Sequence, residues 1–134
     1  MSNIMHETTI APMLSVRNGI QAIEFYKTAF GAVELYHLQD EAGKVVSKLS
    51  IEGAEFWVAD ESPENFNFSP ETLKGGTIRM VMTVNNPDAV FNKAISAGAV
   101  QVWSITEDYG WRIGRIVDPF GHHWEIGKPL SENK

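Results

Sequence analysis

Cysteine is absent from the 134-residue sequence. That removes disulfide scaffolds, thiolate zinc sites, iron–sulfur clusters and a cysteine nucleophile together. Any metal would have to be held by His, Asp and Glu. Cations are scarce as well: 11 Lys and Arg stand against 17 Asp and Glu, for a net charge of −6 with no basic cluster. Nucleic-acid binders carry a concentrated basic footprint, so no nucleic-acid partner is expected. Long apolar runs are missing too, none approaching the roughly 20 residues that cross a bilayer. The opening residues MSNIMHE lack a basic region followed by an apolar one. A cytoplasmic protein with no membrane partner is the expectation.

What is present suits a folded domain. Hydrophobic residues are 43% and charged residues 21%, a balance that supplies a core and excludes intrinsic disorder for most of the chain. The length fits one domain, or two small halves sharing a core.

The sequence repeats itself at half its length. At an offset of 68, Leu14, Val16 and Asn18 fall on Met82, Val84 and Asn86. The offset drops to 67 after the first helix, where Gly31, Ala32, Val33 and Tyr36 fall on Gly98, Ala99, Val100 and Trp103, and returns to 68 where Gly53, Phe56 and Val58 meet Gly121, Trp124 and Ile126. A match sustained through both halves indicates two copies of one supersecondary unit. Each copy opens with an alternating strand pattern (Ile10 to Val16, then Ile78 to Val84), followed by a helix start at Asn18 or at Asn86-Pro87-Asp88. Helical stripes run through Ile20, Ile23, Tyr26, Lys27 and Phe30, and through Val90, Phe91, Ala94 and Ile95; Gly31 and Gly98 close the helices. Three strands follow in each copy: 33–39, 44–51 and 55–59, then 100–106, 111–117 and 122–127. The unit is βαβββ, twice. Module one covers about 9–60, a linker 61–77 and module two about 78–128, all within a single domain spanning 1–134. In the linker, Phe66 and Phe68 are expected either to pin it to a neighbouring surface or to form a lid over a ligand.

Period-two alternation divides each strand into faces. One face is apolar and packs on the helices. The other is mixed, carrying Met13, Glu55, Trp57, Arg79, His123 and Glu125. Large residues among charges suit the wall of a binding cup. Trp124 falls on the apolar face and is expected in the core. Trp57 is the leading aromatic ligand contact; Trp103 and Trp111 read either way, Trp111 standing beside a glycine turn, and Tyr36 and Tyr109 are weaker candidates.

The openings APMLSVRNGIQAIEFYKTAFGA and RMVMTVNNPDAVFNKAISAGA, with the closing YGWRIGRIVDPFGHHWEIG, resemble the vicinal oxygen chelate superfamily. That group includes glyoxalase I, bleomycin-resistance proteins and extradiol dioxygenases. The DPFGHHWE ending is most similar to the superfamily's PhnB-like branch. The resemblance covers roughly Thr9 to Lys128. It implies an α+β fold of two tandem βαβββ modules forming a curled eight-stranded cup-shaped sheet with helices on the outer face, commonly in a homodimer. It also implies metal-ligand positions on the first and last strands of each module. Carried over, these are Ala11, Trp57, Arg79 and Glu125, which the repeat offset of 68 relates in pairs.

Of the four, Glu125 alone has a metal-binding donor; a guanidinium does not deprotonate in proteins. Three protein ligands are the norm at a catalytic metal, so no cofactor is expected. A divalent metal held by His123 and Glu125, two apart on a strand, is the alternative, with Glu55 and His37 as conceivable further ligands. Arg79 and Glu125 read either as an ion pair within the cup or as a receptor for a charged ligand. The expected function is small-molecule binding, with an aromatic or charged ligand contacting Met13, Glu55, Trp57, Arg79, Trp103, Trp111, His123 and Glu125. Two alternatives stay open: a glyoxalase-like enzyme (lyase, isomerase or dioxygenase type) using Glu125 as its catalytic residue, and a partner-binding domain whose cup is vestigial.

Overall fold

A computed structural model describes residues 4–131. The chain runs β1 (Met13–Val16), α1 (Gly19–Phe30), β2 (Val33–Gln39), β3 (Val45–Ile51), β4 (Ala54–Asp60), a 3-10 turn (Pro63–Asn65), α2 (Pro70–Leu73), β5 (Arg79–Thr83), α3 (Pro87–Ala97), β6 (Val100–Asp108), β7 (Trp111–Val117) and β8 (His123–Pro129). The repeat read from the sequence is the repeat of the fold: βαβββ occurs twice, and the class is α+β.

Both long helices begin and end as their residues dictate. The Asn18 side chain accepts from the Gln21 amide at 3.1 Å, and Asn86 accepts from Ala89 at 3.1 Å, each satisfying an orphan donor of the first turn. Pro87 opens α3, where its missing N–H costs nothing. Gly31 stops α1 at φ 68°, a left-handed conformation that glycine adopts without strain. Asp60, at the end of β4, accepts from the amides of Gly19 at 2.9 Å and Val45 at 2.7 Å, so one carboxylate ties α1 to β3. Gly19 has no room for a side chain: a Cβ there would lie 2.4 Å from Val45 Cγ2 and 2.7 Å from Asp60 Oδ2.

The eight strands form two four-stranded sheets, ordered β1-β4-β3-β2 and β5-β8-β7-β6, one per module. In each, the first strand lies parallel to the last, and the remaining pairs are antiparallel. Each sheet packs one face on its helix. Leu14, Val16, Leu49, Phe56 and Val58 are buried on that face in module one, and Ile116, Trp124 and Ile126 in module two. The opposite faces stay open.

The modules join through an aromatic core. Trp124 packs on Phe30, Tyr26 and Phe56, with ring centroids 4.8, 5.6 and 5.6 Å away, and Phe120 meets Phe25. Polar links cross the same boundary. Tyr26 donates to Asp118, and the His122 ring meets the Ser15 carbonyl at 2.9 Å. Asp118 also accepts from Trp124 Nε1 and from the amides of Phe120 and His122, which shapes the DPFG turn.

Several local expectations are corrected. Ile10 and Ile78, expected to open the first strand of each module, lie outside β1 and β5 and are 96% and 74% exposed. The first strand starts at Met13, because Pro12 has no N–H to give a ladder. Ile20 lies at the exposed edge of α1 rather than in its buried stripe. The linker contains the 3-10 turn and α2, with a bridge between Ser62 and Asn67. Pinning applies to one of its two phenylalanines: Phe68 lines a groove with Pro12, Met13 and Ile78, whereas Phe66 is 84% exposed.

Candidate functional site: the open face of module two

Residues directly opposite in a sheet share a face, so the ladders define the open surface rung by rung. In module two, Val81 lies opposite Glu125, Glu125 opposite Arg115, and Arg115 opposite Trp103. Towards the β6–β7 turn come Ile113 with Thr106, then Trp111 with Asp108. All of these except Arg115, together with Tyr109, line an open cleft of about 470 Å³: Val81, Trp103, Thr106, Asp108, Tyr109, Trp111, Ile113 and Glu125. Trp103, Trp111 and the highly exposed Tyr109 supply its aromatic lining, and Asp108 and Glu125 its acidic lining. The size and the mostly apolar lining fall within the range of small-molecule sites.

One end of the cleft is charged. Arg79 Nε meets Glu125 Oε2 at 2.6 Å, and Arg115 Nη1 lies 4.0 Å from the same oxygen. Arg115 Nε donates to His123 Nδ1 at 3.1 Å, so that ring nitrogen carries no proton. Burial first, then the Arg115 charge, hold His123 below the usual histidine range. Glu125 is the most sheltered of the ionised trio: its side chain is 15% exposed, against 26% for Arg115 and 52% for Arg79.

Module one repeats the rung with different residues: Met13, Trp57, Lys48 and Tyr36. Lys48 sits 5.3 Å over the Trp57 ring and binds Glu55 at 2.8 Å, while Tyr36 meets Trp57 edge-on at 5.9 Å.

The sequence-derived candidates therefore separate into two groups. Trp103, Trp111 and Glu125 line the cleft, with Arg79 and His123 beside it. Met13, Glu55 and Trp57 stand together on the module-one face. Tyr109 contributes to the cleft and Tyr36 to the other face. His37 faces the helix side, bonded to Glu34 at 2.6 Å and Gln39 at 3.2 Å. Trp124 is core, as expected.

The residues present do not suit the divalent metal that the resemblance implies. A guanidinium holds the Glu125 oxygen where a second ligand would be needed, and His123 Nδ1 is taken by another. Neither further ligand is at hand, since Glu55 is paired with Lys48 and His37 with Glu34. Among the described residues no three His, Asp or Glu are grouped to hold an ion.

Sequence reasoning missed Arg115 and Lys48. The signal was there: alternation from Trp111 puts Ile113 and Arg115 on one face, and the offset of 67 makes Lys48 and Arg115 equivalent.

No family model matches the chain. The uncharacterized protein Mb0911c of Mycobacterium bovis is 36% identical over 131 residues, which cover 94% of this chain and 86% of that protein. The X-ray structure of the Arabidopsis thaliana gene product At5g48480 superposes with a TM-score of 0.73 at 32% identity, over 92% of this chain and all of that one. A glyoxalase/bleomycin resistance protein/dioxygenase family enzyme from Burkholderia phytofirmans gives 0.69 at 18% identity, covering 88% and 95%. The fosfomycin resistance protein FosX of Listeria monocytogenes, solved with Mn(II) and sulfate, gives 0.65 at 14%, covering 92% and 93%. The last two likenesses are of fold. No helix of the described residues is long and apolar enough to cross a membrane. The chain belongs to one family with the mycobacterial and Arabidopsis proteins, and its fold is that of the glyoxalase/bleomycin resistance/dioxygenase proteins.

Proposed function

We propose that this protein is a small-molecule-binding member of the vicinal oxygen chelate superfamily, in its PhnB-like branch. It holds a partly aromatic ligand in the module-two cleft without a divalent metal. The observation that carries the reading is the cleft itself: Trp103, Trp111 and the highly exposed Tyr109 line a space of about 470 Å³ and offer it aromatic surface. The chemistry of the donor set supports metal-free binding, because Arg79 and Arg115 stand where a metal would need neutral or anionic donors. An enzymatic reading would use Glu125 as a base. Its position at the inner end of the cleft favours that role, and the Arg79 contact on its Oε2 opposes it.

The protein works as a homodimer in this reading. Met13, Val33 and Leu38 in module one and Val81 and Val100 in module two are all more than half exposed on the open faces. Apolar surface of that extent on facing strands suits a partner surface, and a second copy offers the same two faces in return.

Elemental analysis after exposure to nickel, zinc, iron and manganese tests the metal-free part. Substoichiometric metal is expected throughout. Stoichiometric metal that disappears in Glu125→Gln or His123→Gln would replace this reading with the metal-dependent one.

A further inference from the structure

Arg115 is short of partners. Its side chain is 26% exposed, and its one hydrogen bond among the described residues goes to an imidazole nitrogen, so its remaining donors are open to solvent. The nearest carboxylate oxygen, 4.0 Å away, is beyond hydrogen-bond reach and already engaged by Arg79. One carboxylate thus serves two guanidiniums, and among the described residues no other acidic group pairs with either. The equivalent cation of module one shows the contrast: Lys48 has its own carboxylate in Glu55, at 2.8 Å, and an indole face besides. A sheltered guanidinium with open donors is an anion receptor, because its planar fork suits two oxygens of a carboxylate or phosphate.

We propose that Arg115 and Arg79 together form an oxyanion seat beside the cleft, where the Glu125 carboxylate lies until the carboxylate or phosphate group of the ligand displaces it. This rests on the proposed small-molecule reading and names the ligand class: an aromatic body against Trp103, Trp111 and Tyr109, ending in one acidic group. The geometry favours that arrangement. Arg115 lies directly across the ladder from Trp103, so the head group and the ring system would be bound on adjacent strands of one face. Two guanidiniums against the single Glu125 carboxylate leave the corner one positive charge in excess, which an acidic head group neutralises, whereas a neutral or cationic head would leave Arg115 as it is.

Calorimetric titration of the intact protein with four matched probes tests this: 2-naphthoate, 2-naphthyl phosphate, 2-naphthylmethanol and 2-naphthylmethylammonium. At least one acid is expected to bind about ten- to a hundredfold more tightly than the alcohol, as charge-assisted hydrogen bonds allow. Arg115→Met should remove that preference by weakening the acids far more than the alcohol, and Arg115→Lys should keep part of it. Glu125→Gln should strengthen acid binding, since a weaker competitor then occupies the seat. Circular dichroism of each variant checks the fold. An alcohol that binds as tightly as both acids, or an acid preference that survives Arg115→Met, overturns the oxyanion seat and leaves the cleft reading intact. Failure of all four probes to bind overturns both.

Discussion

The hydroxyl of Tyr26, on α1 of module one, donates to the carboxylate of Asp118, in the turn before β8 of module two. Both groups are buried, and Asp118 collects three further donors from Trp124, Phe120 and His122. This carboxylate ties α1 of module one to the turn that leads into the strand carrying His123 and Glu125. Asp118→Ala would leave four donors unpaired in the core and is expected to cost roughly 3–5 kcal/mol. Tyr26→Phe removes one donor and should cost about 1–2 kcal/mol. Urea denaturation measures both.

The same pair sets an alkaline limit. Burial, and next the Asp118 charge, raise the Tyr26 hydroxyl well above its ordinary value of 10.0. A group raised in the folded state contributes stability that is complete below its unfolded value and is lost as pH climbs toward the folded one. The wild type should therefore lose stability progressively above about pH 10, and Tyr26→Phe should lose less over that range. Thermal melts between pH 8 and 11 provide the comparison.

Two histidines should titrate on opposite sides of 6.5. Hydrogen bonds from His37 to Glu34 and Gln39 raise it; burial, then Arg115, lowers His123. Stability from His37 is present below 6.5 and lost as pH rises through its raised value. His123 works the other way, costing stability as pH falls below 6.5. An NMR titration of the ring protons should show the split, and Arg115→Met should move His123 upward. Coincident titration of the two rings would contradict the contacts described.

Gly127 lies on the floor of the open face, where a Cβ would come within 2.6 Å of the Arg112 carbonyl and 2.7 Å of Ile113 Cβ. Neither backbone nor a β-branched carbon gives way easily. Gly127→Ala is expected to destabilise by about 1–3 kcal/mol and to disturb Ile113 in the cleft wall. Chemical denaturation tests the first effect.

Light scattering after gel filtration tests the assembly. A mass near twice 14.9 kDa is expected. Val33→Asp and Val100→Asp, placed on the two open faces, should shift it toward the monomer, while a monomeric wild type would contradict the dimer.

Much of this was legible in the sequence, because the repeat carried it. Pairing Asn18 with Asn86 and Gly31 with Gly98 marked both ends of each helix, and alternation separated Trp124 from Glu125. Strand starts were less legible, since Ile10 and Ile78 alternate correctly but have no partner strand to pack beside. The cleft residues came out in part. Trp103 was ambiguous because a register shift in β6 between Gln101 and Trp103 breaks the alternation that would have fixed its face. Arg115 was missed for another reason: its significance is a shortage of partners, and only coordinates reveal what a side chain fails to touch.

The most direct test of the central claim is binding of the neutral probe 2-naphthylmethanol to chelator-treated protein, with and without added Mn(II), in wild type and Trp103→Ala. Equal affinity with and without metal, weakened at least about tenfold by the loss of the indole, is the predicted result. Binding that appears only when metal is added, or that is indifferent to Trp103, would contradict a metal-free aromatic cleft on module two.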